Sequence, residues 1–173
     1  MLAEALQICP EPAPQLLDPE RLPDHIDALY RAARAMCGSR YDAEDLVQET
    51  LEMVLRRPRW IRSNELGYLL RALRHNYATR MRDAARRPVM VQLFEHESAT
   101  HPEDRLTSRE LMEAIASLPE PYRDAVIAVD LLGLSYREAA RSLRTREATL
   151  TTRLHRGRQR LARVLLAEAT PSS

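Results

Sequence analysis

The sequence predicts an all-α chain, folded as two small helical domains joined by a flexible linker. Three observations carry that prediction. The 173 residues include only 4 Gly and 5% aromatics, and β-branched runs are missing, while the strong helix formers Ala, Leu, Arg and Glu dominate. Apolar residues recur three and four apart in segments punctuated by Pro, Gly and capping residues. Those segments fall into a group of three and a group of four, separated by a polar stretch without helical periodicity.

Residues 1–20 contain Pro10, Pro12, Pro14 and Pro19 and read as an irregular N-terminal arm. The first domain spans 21–88. Its first helix starts at Pro23, a favoured first-turn residue, and ends at Cys37 with Gly38 as cap; Ile26, Leu29, Tyr30, Ala33 and Met36 form its stripe. Asp42 is expected to cap the second helix, with Glu44 and Asp45 in the turn where the helix dipole favours acids. Leu46, Val47, Leu51, Val54 and Leu55 make that helix's stripe, and Pro58 stops it. A third helix begins after Ser63 or Asn64 and runs to about Ala85, with Leu66, Leu69, Leu70, Leu73, Tyr77 and Met81 along one side.

Residues 89–106 read as the linker and 107–168 as the second domain. Thr107-x-x-Glu110 is a capping-box pattern, expected to open a helix reaching about Ser117. Another helix covers Tyr122–Leu132 and ends at Gly133. Ser135-x-x-Glu138 is a second capping box, opening a short helix to Leu143, and Thr145 caps a last helix from Arg146 to about Ala167. Leu150, Leu154, Leu161 and Leu165 share one side of it.

The charge is not mixed along the chain. There are 26 basic and 25 acidic residues for a net +1, and every basic residue is Arg. Residues 1–55 carry −7, 56–90 carry +8, 91–125 carry −5 and 126–173 carry +5. A neutral total therefore hides two basic surfaces. No stretch of 18 apolar residues exists, so no transmembrane helix is expected, and the N-terminus lacks the basic n-region of a secretory signal. Cys9 and Cys37 are too few for a disulfide scaffold and read as reduced thiols.

The C-terminal pattern is functional in form. A helix, Gly133, a short capped helix, a three-residue turn and a longer basic helix make a helix-turn-helix, whose second helix presents its first residues to base edges in the major groove. Residues 146–163 hold six Arg and one acid. Arg and hydroxyl side chains are the types that bind phosphates and read bases. In the middle block, Arg56, Arg57, Arg59 and Arg62 surround Trp60, and Arg71, Arg74, Arg80, Arg82, Arg86 and Arg87 share a helix with Tyr68, His75, Asn76 and Tyr77. Basic residues interleaved with rings suit single-stranded or partly opened nucleic acid; core packing is the competing reading, and is favoured for Tyr77. The acidic helix beginning at Asp42 reads, taken alone, as a solvated face; docking on a basic protein helix is the alternative.

In this order the segments resemble the sigma-70 family of bacterial RNA polymerase initiation factors, and look most like its short extracytoplasmic-function (ECF, group 4) type. Asp42-Ala43-Glu44-Asp45-Leu46-Val47-Gln48-Glu49-Thr50 matches the family's region 2.2, and Tyr68 to Asn76 resembles regions 2.3–2.4. Leu118-Pro119, Tyr122-Arg123, Gly133 to Ala140 and Thr152 to Arg158 resemble region 4. The resemblance implies a sigma factor without catalysis or cofactor of its own, cytoplasmic and nucleoid-associated. Its implied partners are core RNA polymerase, through the β′ clamp helices and β flap, promoter DNA, and an anti-sigma factor. It assigns core binding to Asp45, Leu46, Gln48 and Glu49. It assigns −10 DNA to Arg59, Trp60, Arg62, Arg71, Arg74, His75, Asn76, Arg80 and Arg82. It assigns −35 DNA to Arg146, Thr149, Thr151, Thr152, Arg153 and Arg156. Thr151 stands where the family usually has a basic residue.

A free-standing helix-turn-helix regulator is the alternative. It accounts for residues 107–167 but leaves the acidic helix and the middle basic block without a role. An enzyme or metal protein has little support: no phosphate-cradling Gly loop can form from glycines at 38, 67, 133 and 157, and His96 and His101 are the only close histidine pair.

Overall fold

The computed structural model describes residues 14–56, 60–61, 64–86 and 104–168. The first domain is built from α1 (Pro23–Cys37), α2 (Arg40–Arg56) and α3 (Glu65–Arg86), and the second from α4 (Asp104–Ala116), α5 (Glu120–Val126), α6 (Tyr136–Ser142) and α7 (Glu147–Glu168).

Local chemistry explains most boundaries. Pro23 opens α1, and Gly38 closes it at φ 73°, a left-handed conformation in which its amide donates to Arg34 O at 2.9 Å. The start of α2 differs from expectation. Ser39, not Asp42, fills the capping role: its hydroxyl accepts the Asp42 amide at 3.4 Å and its carbonyl accepts the Ala43 amide at 3.2 Å. Asp42 lies one turn in, where the dipole still favours it. Asn64 opens α3 by accepting the Leu66 amide at 2.9 Å. Helix α4 begins at Asp104, so Thr107 lies inside it rather than at its cap; a four-residue capping pattern also occurs within helices. Past Val126, α5 widens into a π-turn, Ile127–Leu131, in which the Leu132 amide reaches back five residues to Ile127 O at 3.0 Å. The Ser135–Glu138 capping box forms in both halves, the hydroxyl accepting the Glu138 amide at 3.3 Å and the carboxylate accepting the Ser135 amide at 2.9 Å.

The arm differs from its expected irregular form over the residues described. Strand β1 (Gln15–Leu16) pairs antiparallel with β2 (Trp60–Ile61), Gln15 opposite Ile61 and Leu16 opposite Trp60. Ile61 of this ribbon is buried, as are Leu17 and Leu22 just after it. A short 3₁₀ turn, Pro19–Arg21, leads into α1. Residues 1–13, with Cys9, lie outside the described residues, as does the linker from 87 to 103.

Leu29, Leu46, Leu69, Leu70 and Leu73 fill the first domain, and Val126, Ile127, Leu150 and Leu154 the second, each fully or almost fully buried. These residues belong to one continuous cluster, because the two domains pack on each other: α1 lies against α4 and the π-turn, and α3 against α6. Gly157 lets α7 approach α5. A Cβ there would meet Val126 Cγ2 at 2.9 Å and Tyr122 O at 3.1 Å. Gly157→Ala is therefore expected to destabilise the chain by about 1–3 kcal/mol despite the helix-propensity gain, measured as a lower midpoint in urea unfolding.

Candidate functional site

Three surfaces collect the residues with chemistry to offer. The first is a cleft of about 650 Å³ between α1 and α2, floored by Tyr30, Val47 and Leu51 and edged by Ile26, Gln48 and Leu55. Ile26 is 41% exposed and Leu55 49%, so the outer edges of both apolar stripes face solvent rather than core. Asp27, Arg40, Glu44 and Glu52 make a polar rim. Of the four residues assigned to core binding, only Gln48 borders this cleft, donating to Glu52 at 3.3 Å. Asp45 and Glu49 face the opposite flank, 4.0 and 3.4 Å from Arg80. Leu46 has no exposed surface. Its assignment as a contact is corrected: the helical stripe carries it into the core, where no partner can touch it.

The second surface is α3. Its first half is held by α1 and α2 through Leu69, Leu70 and Leu73, while every residue from Met81 to Arg86 is exposed. Met81, read as part of the apolar stripe, is 50% exposed because the helix runs on beyond the bundle. Trp60 on β2, which precedes α3, is 71% exposed, so it offers an open ring rather than core packing. The polar candidates on α3 divide by direction. Asn76 and Arg80 face α2: Asn76 donates to Glu49 at 3.4 Å and Thr50 at 3.2 Å, and Arg80 to Asp42 O at 3.2 Å. Arg71 and Arg74 face the second domain. His75 and Arg82 are exposed, and Arg82 bonds along its own helix, to Ala78 O and Thr79. Arg59 and Arg62 lie outside the described residues.

The third surface is the start of α7. Arg146, Thr149, Thr151, Thr152 and Arg156 are exposed on one continuous stretch, with Arg153 half-buried. Leu150 and Leu154, on the opposite side, anchor the helix. The Thr151 and Thr152 hydroxyls donate to Glu147 O and Ala148 O, at 2.9 and 3.1 Å, leaving both oxygens able to accept. Further along, Arg158 makes a bidentate pair with Asp130, 3.0 and 2.5 Å, and the Arg160 guanidinium lies 4.9 Å from the Tyr122 ring centroid. Those two arginines stitch α7 to α5 and the π-turn, so the helix-turn-helix is braced behind its exposed face.

The sequence did not announce the residues between the domains. Arg71 donates to Arg141 O at 2.7 Å and Ser142 O at 3.4 Å, at the C-terminal end of α6. Arg74 Nε donates to Asp124 Oδ2 at 2.7 Å, and Glu120 stands 3.8 Å from the same guanidinium. The buried Ser142 hydroxyl donates to Gly67 O at 2.6 Å, and Asn64 donates to Glu138 at 3.0 Å. Tyr77, half-buried, lies under the Arg123 guanidinium, 5.2 Å from its ring centroid. Burial pushes the Asp124 carboxyl up, against the pull of Arg74 and Arg123, and also pushes up the Tyr77 phenol. The Ser135 hydroxyl holds Glu138 below the ordinary carboxylate range, with Asn64 adding to it. The hydrogen bonds of Arg71, Arg74, Ser142 and Asn64 span about 50 to 75 residues of sequence; their one sign in the sequence is charge, at Glu120, Arg123, Asp124 and Asp130, within the helical segment 120–131.

Among the described residues, no three His, Cys, Asp or Glu side chains come together as a cation site. His25 pairs with buried Glu65 at 3.2 Å, where Arg21 also donates at 3.3 Å. No helix among them is long and apolar enough to cross a membrane.

Comparison with known proteins matches two family models. Sigma-70 region 2 covers residues 24–87 and Sigma-70, region 4 covers 108–161. The ECF RNA polymerase sigma factor SigE of Mycolicibacterium smegmatis is 32% identical over 151 residues, 82% of this chain, and this chain spans only 59% of that relative's length. The ECF RNA polymerase sigma factor SigM of Mycobacterium tuberculosis is 30% identical over 143 residues, 82% of this chain and 73% of SigM. Among solved structures, the sigma factor RpoE in complex with the anti-sigma factor NepR from Bartonella quintana superposes with a TM-score of 0.69 at 28% identity, covering 84% of this chain and 94% of RpoE. CnrH, solved with the cytosolic domain of CnrY, shares the fold with a TM-score of 0.62 at 22% identity, covering 86% of each chain.

Cys37, at the end of α1, is pushed up to about 11 by burial, with Asp42 adding to it. Only the thiolate reacts, so Cys37 should alkylate with iodoacetamide at pH 8 about 100-fold more slowly than a small thiol of ordinary pKa. Peptide mass spectrometry over a time course measures this, and an ordinary rate contradicts a packed thiol.

Proposed function

This chain belongs to the sigma-70 family of RNA polymerase sigma factors, in the ECF group, and from that premise we propose that it binds core RNA polymerase and directs promoter-specific initiation. One observation carries the reading: a single chain holds both a region 2 bundle with an open α1–α2 cleft and a region 4 helix-turn-helix with an exposed Thr- and Arg-rich helix start. A free-standing regulator needs only the second of these.

Roles follow from chemistry at each surface. The half-apolar, acid-rimmed cleft suits an amphipathic basic helix, the chemistry expected of the polymerase β′ clamp helices, with Gln48 at its edge and Ile26 and Leu55 as apolar contacts. Asp45 and Glu49 stand on the other flank of α2, held by Arg80, and serve as contacts there once that pair opens. Trp60, His75 and the arginines of α3 serve the opened −10 element, rings stacking on bases while guanidiniums follow phosphates. Arg146, Thr149, Thr151, Thr152, Arg153 and Arg156 serve the −35 duplex through the major groove. With Thr151 in place of a basic residue, that contact is a hydroxyl rather than a charge. Residues 21–88 and 107–168 act as the two binding modules, with 89–106 linking them along the polymerase toward the β flap. No catalytic step is assigned to the chain, which works in the cytoplasm on nucleoid DNA. Because RpoE was solved with an anti-sigma factor, such a partner is proposed here as well.

Reconstitution with core polymerase tests the reading. Promoter-specific run-off transcripts are expected only when the chain is added. Leu55→Glu should abolish them by blocking core binding in a pull-down, without unfolding the chain, since Leu55 is exposed. Arg156→Ala should weaken binding of the holoenzyme to −35 duplex and reduce the salt slope by about 1. Tight duplex binding by the chain alone, with no transcription alongside core, contradicts the proposal and favours the regulator.

A further inference from the structure

Trp60 is the single tryptophan of the chain and, among the described residues, its most exposed large apolar side chain. An exposed ring lowers its free energy by folding back on apolar surface unless its backbone is fixed, and a ribbon of two residues a side is not stable by itself. The N-terminal arm supplies the fixing. Leu16 stands directly opposite Trp60 in the antiparallel pair. Directly opposed side chains share a ribbon face, and Leu16 too is on the open one, at 50% exposure. The next residue on each strand, Leu17 and Ile61, is buried. Past Leu17, the Asp18 carboxylate turns the arm by accepting the Glu20 amide at 3.0 Å, and Leu22 is buried at its end.

A second tie lies four residues beyond Ile61. Glu65, the first residue of α3, is buried and has a partner on each oxygen: Arg21 donates to Oε1 at 3.3 Å, and His25 Nε2 lies 3.2 Å from Oε2. A buried carboxylate is costly unless it is bonded in this way. One short run, residues 15–25, thus grips the chain at β2 and again at the start of α3. It does not line the α1–α2 cleft, whose lining begins at Ile26.

We propose that the arm is a positioning element for strand capture: Leu16, paired with Trp60, and Arg21, bound to Glu65, hold the Trp60 backbone so that its ring stands ready to stack on an unstacked base of single-stranded DNA. The proposal rests on the reading of Trp60 as a −10 residue. Leu16 and Arg21 act through that ring and are positioning residues. A ring already in place is not ordered at the moment of binding, so the entropy of ordering is not subtracted from the stacking energy. The arm's effect therefore falls on capture of the single strand, and not on core binding at the cleft or on duplex contacts at α7.

Trp60 reports its own mobility without assuming any function. In time-resolved fluorescence anisotropy of the free chain it should turn with the whole molecule. Leu16→Gly with Arg21→Ala should add a fast local component on the nanosecond scale, with helical circular dichroism unchanged, since both side chains are half exposed or more. Leu16→Gly alone leaves the Glu65 ties intact and should give the same change in smaller amplitude. Equal local motion in the unsubstituted and doubly substituted chains overturns the proposal.

The consequence is read with core polymerase on a promoter fragment that the unsubstituted holoenzyme selects from a random-sequence duplex pool. The double variant should bind core as before in a pull-down, but give about tenfold less permanganate reactivity at unpaired thymines of the opened strand. In a Trp60→Ala chain the same two substitutions should cost less than about twofold further, because they act through the ring that is gone. Full thymine reactivity in the double variant overturns the proposal, as does lost core binding or an undiminished tenfold effect in the Trp60→Ala chain. If the unsubstituted chain selects no promoter with core, the sigma-factor reading fails and the strand-capture role with it, while the anisotropy still decides whether the arm holds Trp60.

Discussion

Helix α3 has three sides with three obligations, and the arrangement of the molecule follows from meeting them together. Its leucines, Leu69, Leu70 and Leu73, are fully buried against α1 and α2 and give the first domain its core. A second side, through Asn76 and Arg80, is tied to the acidic helix α2. The remaining side offers Gly67, Arg71 and Arg74 to the second domain. Removing water from guanidiniums is costly unless each finds an acceptor. Arg71, whose own pKa burial depresses, finds helix-end carbonyls, and Arg74 finds a buried carboxylate. Among the described residues, the Arg74–Asp124 pair is the one charged contact at this boundary with both partners largely out of water, at 24% and 4% side-chain exposure.

The near-neutral total charge is a cancellation with a spatial meaning. Part of the acidity of the first block answers Arg80 on the flank of α2, and Asp124 from the acidic third block answers the basic second. Within the fourth block, Arg158 is neutralised by Asp130. What stays uncovered is narrower than the sequence blocks suggest: Trp60, the end of α3, and the start of α7.

Local signals made the fold legible. Pro23, Gly38, Asn64, Gly133 and the Ser135–Glu138 box act within a turn or two of chain, and each marks the boundary it should. Thr107 failed as a cap because its pattern has no local feature that prevents the helix from starting a turn earlier. The π-turn after Val126 left no mark because it costs one register step and no residue type demands it. The ribbon of two residues a side is too short for a period-two pattern to show. In the site, Leu46 carried two incompatible readings, stripe and contact, and burial decides for the stripe. The pairing of Asp124 with Arg74 was illegible for a different reason: complementary charges 50 residues apart are too common in a chain of 51 charged residues to single one out.

The packing of the two domains on each other depends on the Arg74–Asp124 ion pair contributing free energy rather than merely lying close. A double-mutant cycle in urea unfolding, with Arg74→Gln, Asp124→Asn and the two combined, measures it directly. Coupling above about 1 kcal/mol is expected for a desolvated pair in contact. Additivity within about 0.3 kcal/mol would mean that the two side chains do not meet in solution, and would contradict the closed arrangement of the two domains.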